Sequence, residues 1–246
     1  MWLDNDSQDA VDLFWQLCGE SEPFPRTLER SILLALPIAL IKLPRLRLID
    51  IESWIKRRGI AFRFDYTSRL VRGCLVAFGG KGLIFVDGTD PDSERRFTLA
   101  HEVAHFLMDY WQPREHAIRK LGASIVEVID GIRLPSVNER VYSLLSSVPT
   151  GVHVNLLDRD NSDASSDIWK IENRADKVAL ALLAPPDEVL VGINHFAAKF
   201  DQRHADIIAL LESRFGMPAS IASVYGWSLL EAVGKGPSWL EGMRIK

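Results

Sequence analysis

The sequence predicts an α+β fold: a small three-stranded sheet packed on one central helix, followed by a helical C-terminal part. Three observations predict it. An apolar helix carrying the pattern H-E-x-x-H sits before residue 111. Short stretches of β character, joined by a glycine-rich turn, precede it. After residue 168 nearly every apolar run has helical spacing.

The bulk numbers bound the class. The chain has 246 residues, a formal net charge of −4 and 47% hydrophobic residues, a soluble globular composition with enough length for a sizeable core. The expected division is an acidic segment at 1–28, one main domain at 29–233 and a tail at 234–246. Two cysteines, Cys18 and Cys74, are too few for a disulfide framework, which predicts a reducing, cytoplasmic setting. The N-terminus MWLDNDSQDAVD is acidic and unlike a secretory signal. The longest apolar run, Ile32 to Ile41, is too short to span a bilayer and is interrupted by Pro37, so no membrane partner is expected.

In chain order, Val11, Leu13, Phe14 and Leu17 give residues 1–28 one amphipathic helix, broken by Pro23 and Pro25. Residues 27–41 read as a helix kinked at Pro37, and Asp50 to Arg58 as another, stopped by Gly59. Ile60 to Tyr66 alternates as a strand. Cys74 to Phe78 and Leu83 to Val86 read as two more, joined through Gly79, Gly80, Lys81 and Gly82. Asp90 is the expected N-cap of the next helix, Pro91 its first residue, and Trp111, Gln112 and Pro113 its end. Residues 113–168 are harder to read: Ile118 to Ile129 is helical but for Gly122, Gly151 to Leu157 alternates as a strand, and Asp158 to Asp167 is a polar loop. Residues 168–184 form a long helix stopped by Pro185 and Pro186. His204 to Phe215 and Ile221 to Val233 are two more helices. Trp239 and Leu240 anchor the tail.

The central helix carries the chemistry. His101 and His105 are one turn apart, so both imidazoles leave the same face and can grip one metal at about 2.0–2.1 Å. Glu102 is angularly adjacent and reaches a water beside the metal without being a ligand. A catalytic zinc needs a third protein ligand, and Glu172 in E-N-R-A-D is the best choice. Asp176, four residues on, shares its helix face and accepts the spare N–H of a ligating histidine. Glu127, Glu139, His153 and His195 are the rivals for the third position.

The blocks RRFTLAHEVAHFLM and ENRADKVALALLAP together resemble the ImmA/IrrE-type metallo-endopeptidases, as do the hairpin before the first block and IALLESRFGMPASIASV near the end. The resemblance implies a zincin-like fold with a glutamate as third zinc ligand. It also implies a helix-turn-helix repressor as the protein substrate, in mobile-element, DNA-damage or anti-phage regulation. The gap between His105 and Glu172 is long for the family, which implies an insertion at about 113–168. No helix-turn-helix stands out in this chain, so the DNA-binding partner would be separate.

The expected activity is zinc-assisted peptide hydrolysis with Glu102 as the acid–base group. Tyr110, Tyr142, His153 and His195 are the candidates for oxyanion donor, and a substrate strand is expected beside Leu83 to Val86. The alternative is a non-proteolytic zinc-containing sensor or binding module. Lys42 to Arg72 supports that alternative with nine basic and three acidic residues, a local 9 − 3 = +6. Such a run is usually a solvated face. Its sharper reading is a single-stranded nucleic acid activator bound at Lys56, Arg57 and Arg58, with Trp54 and Phe62 stacking on bases. Cys74 and Cys18 are expected to be small hydrophobes, with a thiolate that blocks the zinc as the rarer role.

Overall fold

The computed structural model describes residues 3–65, 68–140, 148–159, 166–192 and 199–237. The first half runs α1 (Asn5–Cys18), α2 (Glu29–Ala35), β1 (Ile38–Leu43), α3 (Leu48–Lys56), β2 (Val71–Phe78), β3 (Lys81–Asp87) and α4 (Asp92–His105). A π-helical segment (Phe106–Trp111) continues α4 into α5 (Gln112–Leu121), and a 3-10 turn leads to α6 (Val126–Ile129). The remainder is β4 (His153–Asp158), α7 (Ser166–Leu183), α8 (Pro186–Val191), α9 (Phe200–Ser213) and α10 (Ala219–Ala232).

The architecture is α+β, but the sheet has four strands rather than three, in the order β1-β3-β2-β4. β1 is parallel to β3, while β2 is antiparallel to both β3 and β4. β1 falls inside the stretch expected to be helical. Helix α2 stops at Ala35, two residues before Pro37, because the residue ahead of a proline is pushed out of the helical region. The continuous apolar run IALIKL then pairs with β3. Periodicity cannot tell a buried strand from a helix in so short a run. Ile60 to Phe64 is the converse case: it alternates like a strand but joins no ladder. Phe62 and Phe64 instead pack on each other, with ring centroids 5.1 Å apart, beside the cluster under α3. Tyr66 lies outside the described residues, as do 160–165 of the expected polar loop, Trp239 and Leu240.

The hairpin between β2 and β3 forms as expected. Gly79 and Gly80 both have positive φ (54° and 74°), the backbone a two-residue hairpin turn requires. β4 and the three late helices also fall where their patterns placed them. The double proline at 185–186 starts the short helix α8 as well as ending α7. The central helix departs at both ends. Its N-cap is Pro91, without a side-chain cap, and it does not end at Pro113, because a proline in the first turn of α5 loses no helical hydrogen bond.

The sheet divides the interior. Successive side chains of a strand point to opposite faces. Leu75, Ala77, Ile84 and Val86 therefore join α4 and the C-terminal helices in the main core. Val71, Cys74, Val76 and Phe85 join Leu48, Ile51 and Ile55 of α3 on the other face. The N-terminal segment is part of the main core: Ala10, Val11 and Phe14 of α1 are buried, while Leu13 is half-buried and Leu17 exposed. Arg26 ties the segment to α7 by donating to the Leu182 carbonyl at 2.6 Å, with its guanidinium over Trp15 and Phe24. No helix among the described residues is long and apolar enough to cross a membrane.

Asp87 locks the junction between the sheet and α4. It is 1% exposed and accepts from the Arg45 and Leu46 amides, from Thr89 and from Arg159. Burial pushes its carboxyl up, but the bonds from Thr89, Leu46 and Arg159 outweigh burial and hold it below its ordinary value. Its contribution is then complete above pH about 4 and is lost as pH falls through the lowered folded value. Asp87→Asn is expected to cost about 1.5–3 kcal/mol at pH 7. It should also flatten the acid-side loss of stability, as urea unfolding at pH 7 and pH 3 would measure.

Candidate metal centre

The site is built where α7 crosses α4. Small residues permit the close approach: Ala100 and Ala104 on α4 and Ala175 on α7 are all buried. His101, Glu102 and His105 are at most 1% exposed, on a helix that is otherwise apolar toward the core. Burying three such groups is costly unless they are satisfied together.

The structure brings His101, His105 and Glu172 into one cluster that could hold a metal ion. The two histidine Nε2 atoms are 3.0 Å apart, and Glu172 oxygens lie 3.2 Å from His101 Nε2 and 3.6 Å from His105 Nε2. Ligands about 2.05 Å from a tetrahedral zinc would be about 3.3 Å from one another, and these separations are of that size, with a different Glu172 oxygen nearest each histidine. His101 Nδ1 bonds to Asp176 at 2.9 Å and His105 Nδ1 bonds to Asp109 at 2.7 Å, so both Nδ1 atoms are engaged and Nε2 is the nitrogen each ring turns toward the cluster. Two imidazole nitrogens and a carboxylate facing one another call for a cation, either protons on the rings or a metal ion that displaces them. Burial lowers the His101 imidazole, but Asp176 and Glu172 outweigh it and raise it to about 10; His105 moves up for the same reasons through Asp109 and Glu172. Burial raises the Glu172 carboxyl, and the two imidazoles more than reverse that, leaving it well below its ordinary value.

Glu102 stands apart from the triangle. It is fully buried, and among the described residues no side chain bonds to its carboxylate oxygens, the Leu75 backbone being the one hydrogen-bonding group that acts on it. Burial raises it to about 7, against the pull of the two histidines. A buried carboxyl with no side-chain partner among the described residues, beside a cation cradle, suits a group that exchanges a proton with a molecule entering the site.

Two supporting residues escaped the sequence reading. Asp109 orients His105 and is itself held by Arg174 at 2.7 Å. Its signal was available, because it lies four residues after His105, as Asp176 lies four after Glu172. The π-helical segment that carries it left no such signal. Gly73 on β2 lies against Glu102: a Cβ there would sit 2.6 Å from Glu102 Oε1 and from Thr98 Cγ2.

Other expected residues fall elsewhere. The Tyr110 hydroxyl accepts from the Gly80 amide at 2.7 Å and so closes the β-hairpin. His153 stacks on Tyr110, with Nε2 buried and without a partner among the described residues, and burial keeps it below its ordinary value. Tyr142 and His195 lie outside the described residues. Glu127 and Glu139 pair with Arg133, away from the cluster. Lys56, Arg57 and Arg58 are exposed at the end of α3. Arg58 lies 3.3 Å over the Trp54 ring, whose edge packs on Phe85, so that face is covered. Four other cations of the basic stretch are paired: Lys42 with Glu29, Arg47 with Asp50, Arg69 with Asp158 and Arg72 with Glu94. Cys74 is buried on the sheet face opposite α4, where it cannot block the cluster, and burial raises its thiol. Cys18 is half-buried and contacts the Ser31 carbonyl.

The family model described as the IrrE N-terminal-like domain, Peptidase_M78, matches residues 58–123. Residues 58–123 are thus similar to the ImmA/IrrE-type domain. The match spans β2, β3, α4 and the π segment, and so includes His101, Glu102 and His105; it ends before Glu172. The family points to a metallopeptidase-like function with a protein substrate. No curated protein matches the chain.

Two substitutions test the supporting groups. Gly73→Ala should destabilise the fold by about 1–3 kcal/mol by forcing Glu102 or Thr98 aside, as thermal unfolding would record. Asp109→Asn should weaken metal retention about 10- to 100-fold in a chelator competition while leaving the fold intact.

Proposed function

We propose that this protein is a zinc-dependent endopeptidase that cleaves a partner helix-turn-helix repressor, with His101, His105 and Glu172 as the zinc ligands and Asp176 and Asp109 orienting the two imidazoles. The observation that carries the reading is the cluster of donor atoms with the fully buried carboxyl of Glu102 beside it. A purely structural metal site has no use for such an acid. A zinc-type cation held there would polarise the scissile carbonyl and acidify water next to it.

The chain's own residues supply the rest. Glu102 takes a proton from the attacking water and returns it to the leaving amine. A buried carboxyl, which burial pushes up from its ordinary value, suits both transfers. Leu83 to Val86, first expected to receive the substrate strand, lies inside the sheet between β1 and β2. β4 is the sheet edge that borders the site, since the Asn155 amide lies 3.4 Å from His105 Nδ1. An extended peptide paired to β4 would be held by its backbone beside Glu102. His153, on the same face of β4 as Asn155, is the described candidate for a donor to the developing oxyanion. The repressor, its place in stress, mobile-element or anti-phage control, and a cytoplasmic location rest on the family resemblance.

Co-expression with the product of the neighbouring gene, a helix-turn-helix repressor on this reading, gives the test. The wild type should shorten the partner. Glu102→Gln should slow cleavage about 100- to 10,000-fold with zinc content unchanged. Chelation should abolish cleavage and added zinc restore it. Full cleavage by Glu102→Gln would overturn the reading.

A further inference from the structure

A groove of about 1020 Å³ opens beside the metal centre, between α1 on one side and the π segment, α5 and β4 on the other. Asp109 and Asn155, both in contact with His105, line its inner end. Its walls combine two features. One is apolar and available: Leu17 is 45% and Ile171 42% exposed, and Trp111 is half-buried. The other is charge. Asp109 and Arg174 neutralise each other, which leaves Asp6, Asp9 and Glu115 against Arg119. Asp6 and Asp9 are exposed, three apart on α1, and so project along one side of the groove. An acidic helix face thus borders this cleft.

We infer that this groove is the specificity channel of the endopeptidase and takes an extended substrate segment carrying an apolar side chain followed by a lysine or arginine, the latter facing Asp6 and Asp9. The inference rests on the endopeptidase reading for the groove's purpose. The occupant follows from complementarity: the apolar wall selects an aliphatic or aromatic side chain, and the unpaired acids select a cation and repel an acidic one. A segment lying on β4 would leave the metal centre along this channel, because His153 and Asn155 line it from the same strand face. The helix α1, outside the matched family region, would then be the element that reads the sequence around the scissile bond.

Zinc-loaded Glu102→Gln protein allows binding to be read without cleavage. The probes are fluorescein-labelled ten-residue Gly/Ser peptides with one Leu and, two residues further on, Lys, Gln or Glu. By anisotropy at low salt, the Lys peptide should bind about tenfold tighter than the Glu peptide. D6N/D9N should erase that preference, and D6K/D9K should invert it. Equal affinities for the three peptides, no binding of any, or a preference that survives both double substitutions would overturn the inference. Cleavage of the same peptides by the Glu102-intact enzyme is read in parallel. Preference without cleavage would sink the protease reading and leave the channel standing; cleavage without charge preference would do the reverse.

Discussion

The crossing of α7 on α4 is the constraint on which the rest depends. Glu172 is 67 residues beyond His105 in the sequence, yet their ligand atoms lie 3.6 Å apart. That closeness needs small residues at the crossing, and alanines provide them on both helices. It also needs a registered second contact, Asp176 on His101, one turn further along α7. Arg26 and Tyr225 hold the far end of the same helix by capping carbonyls of Leu182 and Ala184. The buried cluster therefore has a rigid scaffold on each side, as a site held within a few tenths of an ångström requires.

The parts of the fold legible in the sequence are those where a local rule has no rival. The Gly79–Gly80 turn, the long helix carrying Glu172 and the H-E-x-x-H face follow from turn chemistry and helical spacing alone. The errors occur where tertiary context decides. Ile38 to Leu43 is a strand because β3 lies beside it, and Ile60 to Phe64 is not one because no partner is available. Edge and interior strands are also invisible to a one-dimensional pattern, which is why the strand offered to a substrate moved from β3 to β4. Within the site, side chains at helical spacing were legible. Gly73 was not, because its purpose is the space it leaves for a carboxylate from another element.

Charge follows the same division of labour. Four of the nine cations from Lys42 to Arg72 are held in ion pairs with Glu29, Asp50, Asp158 and Glu94, while Asp6 and Asp9 of α1 stand exposed beside the cleft. An equal count of charges in a sequence can thus be committed in one place and free to meet a partner in another. Exposure and pairing, rather than sum, separate the two.

The π-helical turn after His105 has a consequence for how this protein tolerates change. It holds one residue more per turn than its flanking helices. Loss of a single residue there would let an ordinary helix run through and leave α5 close to its present direction, because the wide turn already absorbs one extra residue. The change would be local: with a residue lost between His105 and Asp109, the carboxylate would stand three positions after the imidazole instead of four, and the bond that steadies that ring would lose its present geometry. The irregular turn thus acts as a slack link, taking up one residue so that the helix on the metal side and the helix on the channel side both keep their alignment.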